Sequence, residues 1–245
     1  MEGFVKTPNL PENKVTFAAV GDYPVFRKAL SDMGIRIFSP ENPVLDSEVS
    51  RHADMLICHT GENIIFADPL QDVTPLIKEG FTVYFTEELE RNYPLDTRLN
   101  TAVGSKYFIN NPRSVSACLY KYLENKGLRS ISTRQGYTKC SLCFVTENAV
   151  ITDDNSVYKA VREHFSDVLL ISKGDIFLSE KHFGFFGGCT GKINKNTLAV
   201  TGELKSHRDH RAIYEFCAKH EVEIKELSNG RLTDIGGILP LKEMR

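Results

Sequence analysis

The sequence predicts an α/β ring, a five-bladed α/β propeller of five strand-strand-helix-strand repeats closed by the C-terminal strand. Three observations predict it. First, four segments share one plan of apolar strand, polar turn and apolar strand: "DMLICHTGENIIFADP", "NTAVGSKYFINNP", "CSLCFVTENAVITDD" and "CTGKINKNTLAVTGE". Second, a helical spacing of apolar residues and then another strand follow each of them. Third, the residues closing the second strands, Phe66, Ile109, Ile151 and Val200, recur at intervals of 43, 42 and 49 residues, within the period range of propellers and arrays.

In chain order, "VTFAAV" is the second strand of a first unit, about 46 residues before Phe66. Its helix carries Val25, Phe26, Ala29, Leu30 and Met33, and "IRIFSP" follows as a strand. The second unit's helix is shorter, with Val73, Leu76 and Ile77 before "FTVYFTE". Val115, Cys118, Leu119, Tyr122 and Leu123 mark the third helix, before "LRSIST". Val157, Val161 and Phe165 mark the fourth, before "VLLIS", and Ile213, Phe216 and Cys217 the fifth, before "VEIKEL". Asp22, Asp68, Asn111 and Asp154 stand where helices would start, since a short polar side chain accepts from free backbone donors there. Gly34, Gly80 and Gly127 end three of the helices.

The first unit lacks a first strand, and "GILPL" in the C-terminal "TDIGGILPLKEMR" can supply it. Closure of this kind removes exposed sheet edges. The expected organisation is a single domain over 1-245, with repeats near 14-50, 51-96, 97-138, 139-186 and 187-234 and a closing strand at 235-242. A doubly wound parallel sheet is the alternative, but it needs no hairpin in every unit.

Composition narrows the function classes. The 245 residues carry 30 basic and 32 acidic side chains without a block of like charge, so the footprint of a nucleic-acid binder is missing. No apolar run reaches the ~20 residues that cross a bilayer, and the start lacks the pattern of a secretion signal. A cytoplasmic protein is expected, without membrane or nucleic-acid partners. Six cysteines are too sparse for a disulfide scaffold of this size.

The stretch "FGFFGGCTGKI" invites a phosphate-loop reading, which fails twice. Phe186 stands where the first glycine is needed, and Ile193 where Ser or Thr must reach the metal. The glycines instead suit a close backbone approach to the ring axis at the entry to the fifth unit.

Five such units closing as a ring resemble the pentein superfamily, whose enzymes modify guanidino groups: arginine deiminase, agmatine deiminase, dimethylarginine dimethylaminohydrolase and glycine amidinotransferase. Those enzymes carry Gly-Gly-x-His-Cys or a close variant in the terminal strand. This chain has Gly236-Gly237-Ile238-Leu239-Pro240, so proline stands at the nucleophile's place. The superfamily's central His-x-Asp has no match in the fourth or fifth unit, and His52-Ala53-Asp54 opens the second instead. The resemblance therefore implies an uncharacterised branch lacking the terminal catalytic cysteine.

In that fold the first strands line a central channel, which makes their starting residues the site candidates: Asp54, Asn100, Cys140, Cys189 and Asp234, with Lys139 adjacent. Chemistry on a guanidino group needs a thiolate, a proton carrier and carboxylates around the planar cation. Cys189 and Cys140 are the candidate nucleophiles. Asp54, Asn100, Lys139, Asp234 and His52 are the candidate ligand-binding residues. No metal or cofactor is expected, because Cys140-x-x-Cys143 lacks a second Cys or His pair. His59 and Glu62 are expected in a polar hairpin turn, and His207 to His210 on a solvated helix face. The function expected is a central polar pocket for a guanidino, amidino or related cation, with thiol-dependent hydrolase or amidinotransferase-like activity. The alternatives are a non-catalytic module of the same fold that binds a ligand or a protein, as one ribosome-associated initiation factor does, and an unrelated cysteine hydrolase on the same ring.

Overall fold

A computed structural model describes residues 1–245. It contains five small sheets, each built mainly by one unit, and no sheet closes into a barrel. After β1 (Glu2–Phe4), the first unit has β2 (Val15–Val20), α1 (Pro24–Asp32) and β3 (Arg36–Phe38). The second has a one-turn helix α2 (Ala53–Leu56), β4 (Ile57–His59), β5 (Ile64–Ala67), α3 (Thr74–Lys78) and β6 (Thr82–Phe85). The third has β7 (Ala102–Val103), β8 (Tyr107–Asn110), α4 (Ala117–Asn125) and β9 (Arg129–Ser132). The fourth has β10 (Leu142–Thr146), β11 (Ala149–Thr152), α5 (Asn155–Val161) and β12 (Asp167–Leu170). The fifth has β13 (Thr190–Asn194), β14 (Thr197–Val200), α6 (His210–Lys219) and β15 (Glu223–Glu226), and β16 (Ile238–Met244) ends the chain.

Each unit obeys the same connection rules. In the second to fifth units a short hairpin makes the first two strands antiparallel, and in all five the helical crossover brings the third strand back parallel. The closing strand is present as expected: Ile238 pairs with Val20 and Leu239 with Ala19, so β16 serves as the first unit's first strand. Two elements differ from the sequence reading: the one-turn helix α2 occupies Ala53–Leu56, where the start of a strand is expected, and β1 lies outside the expected units. β1 pairs with the outer side of β16, giving a four-stranded sheet.

Burial follows from position in the sheet. First and second strands are almost wholly buried, whereas third strands such as β6 and β15 face solvent at most positions. The helices turn Leu30, Leu76, Leu119, Leu123, Val157 and Ile213 inward. Val25 and Ile77, which share the apolar spacing, are more than half exposed.

Helix ends fit the sequence at their C-termini and less well at their N-termini. Gly34, Gly80 and Gly127 all have φ between +82° and +89°, a conformation that costs glycine little. Asp154 caps α5, accepting from the N–H groups of Ser156 and Val157. The other three expected caps are displaced. Ser116 caps α4, while Asn111 closes a separate turn that ends at Ser114. Asp72 takes the Thr74 N–H at α3, and Asp68 instead bonds Asn42 and the Leu89 N–H. Asp22 pairs with Arg27.

Candidate functional site

The first-strand candidates lie in the turns that lead into those strands. Asp54 is in α2, Asn100 two residues before β7, Cys140 two before β10, and Asp234 four before β16. Units that start alike bring these turns to one end of the molecule, where first strands meet: β10 touches β13, β13 touches β16, and α2 touches β16.

Five of the candidates form one buried group. The Cys140 thiol donates to Oδ2 of Asp54 at 2.9 Å. Asn100 holds the pair in register: its Nδ2 donates to the Asp54 carbonyl at 3.1 Å and to Cys140 Sγ at 3.2 Å, and its Oδ1 accepts from the backbone N–H groups of Lys139 and Cys140. His52 approaches from the other side, with Nδ1 3.6 Å from Oδ1 of Asp234 and Nε2 3.2 Å from the Tyr23 hydroxyl. Asp234 accepts from the Phe185 and Gly236 N–H groups. His52, Asp54 and Cys140 have donor atoms within 4.8 Å of one another, a set that could also hold a thiophilic divalent cation.

Glycines create the space for this group. A Cβ on Gly188 would lie 2.0 Å from Oδ1 of Asp234, and one on Gly184 2.3 Å from the Asp234 Cβ. On Gly236 it would lie 2.4 Å from the His52 Cβ. The Gly187-Gly188 pair of the puzzling sequence stretch thus permits close approach of the fifth unit, as its glycines suggested.

Burial dominates the electrostatics. It pushes the Cys140 thiol well above its ordinary range, and the neighbouring carboxylates of Asp54 and Asp234 push it further. Asp234 is itself raised by burial, which His52 opposes and Asp54 reinforces. Two polar atoms remain without a partner, Nδ1 of His52 and Oδ1 of Asp54. Unpaired buried polar atoms are costly, and both belong to this group. A ligand that donates to a carboxylate and carries positive charge would relieve the repulsion between two buried acids.

A cavity of about 350 Å³ opens over His52, Cys140 and Asp234. Its walls come from connectors that the strand and helix patterns did not single out. Tyr137 stacks between Tyr93 and Phe185, at centroid distances of 5.8 and 6.1 Å, and donates its hydroxyl to Asp96 at 2.6 Å. Oδ1 of Asp96 has no partner, and burial raises this carboxyl too. Sequence reasoning missed Asp96, Tyr93, Tyr137 and Phe185. The only available signal was the nearness of Tyr137 to Lys139 and Cys140.

Two candidates lie apart. Cys189 is fully buried, with Sγ 3.2 Å from the Phe186 carbonyl, and belongs to an apolar cluster with Phe186, Val145 and Leu198. Lys139 joins the group only through its backbone N–H. Its ammonium turns toward the Gly187 carbonyl and a separate cavity of about 20 Å³ that includes His59 and Pro240.

Two expectations about histidines are corrected. His59, expected in the polar hairpin turn, ends β4 beside it, buried with Nε2 2.9 Å from the Glu62 carbonyl, and burial pushes its pKa down to about 4. His207 is fully buried before α6, against Phe186 and the Ser172 carbonyl, rather than on a wet helix face.

The chain belongs to a family described as of unknown function, DUF6873, whose model matches residues 22–239. No curated protein matches it. Among solved structures, it is similar to the inosamine-phosphate amidinotransferase from Streptomyces griseus, with 10% identity, a TM-score of 0.60 and 96% of each chain covered. It is also similar to the agmatine deiminase of C. jejuni, with 9% identity, a TM-score of 0.55, and 93% of this chain and 90% of that one covered. At these identities the likeness is one of fold, which is pentein-like. The expectation of a branch without its catalytic cysteine is overturned by the buried His52–Asp54–Cys140 group. Pro240 does occupy the terminal strand, but the fourth unit delivers a thiol to a histidine and a carboxylate from the second. No helix is long and apolar enough to cross a membrane.

Proposed function

We propose that the cavity over Cys140 binds a small guanidino or amidino cation and that Cys140 attacks its central carbon. In this reading the five sheets are the blades of a propeller whose axis passes through the site. The observation that carries it is the Cys140 thiol 2.9 Å from the Asp54 carboxylate, with Asp234 and His52 beside it at the cavity floor.

The chemistry follows from the charges. Without a ligand, burial and then two carboxylates keep the thiol protonated. A planar cation seated on Asp54 and Asp234 offsets that field and lowers the thiol's pKa where the thiolate is needed. The thiol proton passes to Asp54, and the sulfur forms a bond to the amidine carbon. The C–N bond to one amine then breaks, and that amine leaves with a proton supplied through His52. The amidino group stays on sulfur until water, deprotonated by the same histidine, releases it. Attack by an acceptor amine in place of water makes the reaction an amidino transfer. Asn100 is a positioning residue, which fixes where the thiol and Asp54 meet.

A second reading, a binding module without chemistry, is favoured by the thiol being held protonated in the free protein. One experiment separates the two. The protein is incubated with guanidino amines and amino acids, quenched in acid, and its cysteine peptides are weighed while free ammonia and amine are assayed. An amidino adduct on the Cys140 peptide, absent in Cys140→Ser and kept in Cys189→Ser, supports catalysis. Saturable binding of the same compounds with neither adduct nor product leaves the binding module standing.

A further inference from the structure

Lys192, the lysine of the rejected phosphate-loop pattern, is 2% exposed. It lies in β13, on the side of the hairpin turns rather than of the lead-in turns that form the site above. Its ammonium has three protons and one protein partner, the Val145 carbonyl at 3.0 Å. No carboxylate pairs with it. The two acids nearby are already engaged, Glu12 with Lys195 at 2.6 Å and Glu147 with Ser105 at 2.7 Å and Lys106 at 3.3 Å. Burial pulls the amine down to about 8, yet it stays largely charged at neutral pH.

An uncompensated buried charge is among the costliest features a fold carries, and natural folds pair it or neutralise it. Here the amine lines a cavity of about 240 Å³ together with the hydroxyl-bearing Thr7, Ser105 and Thr146, and with Lys195 and the two lysine-paired acids Glu12 and Glu147. Thr7 comes from the N-terminal segment and Thr146 from the end of β10, so two separate elements bring hydroxyl donors to the cavity of the Lys192 ammonium, whereas the Ser105 hydroxyl already donates to Glu147.

We infer that the cavity at Lys192 is a binding site for a small oxyanion, a carboxylate or a phosphate, whose oxygens complete the hydrogen bonding of the Lys192 ammonium. A lysine with hydroxyl donors and spent acids favours an anion over a second cation or an apolar guest. The site is separate from the thiol group, and its occupancy does not depend on the reading of Cys140.

The test is thermal unfolding of the full chain in acetate, phosphate or chloride at constant ionic strength, for wild type and Lys192→Met. At about ten times Kd, the bound anion raises the wild-type midpoint by ~3–5 °C over chloride, and Lys192→Met loses that increment. Whether acetate or phosphate gives the increment identifies the anion class. Equal shifts in both proteins, or no shift over chloride, overturn the inference. Should Lys192→Met not fold, wild-type protein is reductively methylated with and without each anion, and the Lys192 peptide is quantified. Several-fold protection by one anion supports the site. Equal labelling, or no labelling in either condition, overturns it, because the cavity then fails to bring small molecules to the amine.

Discussion

The Cys140 thiol donates to Oδ2 of Asp54 across 2.9 Å, although the two residues stand 86 positions apart. A thiol bonded to a carboxylate is held in its neutral form, because ionising it would place two negative charges side by side in a buried setting. The first prediction follows from the sign of that effect. Asp54→Asn keeps the shape and removes the charge, so the thiol pKa falls and alkylation of Cys140 at pH 8 speeds up by about tenfold. Iodoacetamide rates against pH, with the modified peptide assigned by mass, check it. An unchanged or slower rate means that Asp54 is not what holds the proton on sulfur.

Asn100 is the second target. Its Oδ1 is the acceptor for two buried N–H groups, at 2.7 and 3.3 Å. Asn100→Ala leaves both without a partner and is expected to cost about 2–4 kcal/mol. Asn100→Asp retains the acceptor but loses the donor to sulfur and adds a third acid, so it raises the thiol pKa instead. Denaturant unfolding of the first variant and alkylation profiles of the second distinguish these effects.

What was legible in the sequence was periodic. Hairpin turns, helix spacing and the three terminal glycines repeat with the unit, so they located five sheets and the closing strand. The period located the residues that open equivalent units, and the resemblance to a fold whose first strands line a central channel made those residues the site candidates. Which of them touch was not legible. Asp54, Asn100 and Cys140 meet because their lead-in turns bend inward, whereas Cys189 sits at the end of a tight turn whose side chain points into the core. Nor do Asp96, Tyr93 and Phe185 repeat. They belong to connectors with neither strand nor helix spacing, and only the fold brings them over Cys140. The expectation of a lost nucleophile failed for a related reason, because it followed one strand's motif while the thiol came from another unit.

A third prediction concerns the glycines. Gly188→Ala places a methyl 2.0 Å from the Asp234 carboxylate, and the obstructing atoms belong to a buried side chain fixed by two backbone N–H donors. The expected loss is about 2 kcal/mol or more, with ligand affinity falling alongside it. Gly230→Ala, where the nearest atom is 3.7 Å from the new methyl, is the control that leaves both quantities nearly unchanged. A shared loss in both variants would point to a general backbone effect rather than to Asp234.

The last prediction is a pH dependence away from the thiol. Asp153 is 2% exposed, its Oδ2 accepts only from the Phe186 N–H, and its Oδ1 has no partner. Burial raises its pKa to about 7, against roughly 3.9 in an unfolded chain. Between these values the folded state keeps a proton that the unfolded state has released, so the contribution of Asp153 to stability is full below pH ~4 and declines as pH rises to about 7. Asp153→Asn retains an acceptor for Phe186 and cannot ionise. It is therefore expected to be more stable than wild type at pH 7, by on the order of 1–3 kcal/mol, and to match it at pH 4. Denaturant midpoints at the two pH values measure this directly, and an Asn variant that is destabilised equally at both would show that Asp153 is ionised in the fold.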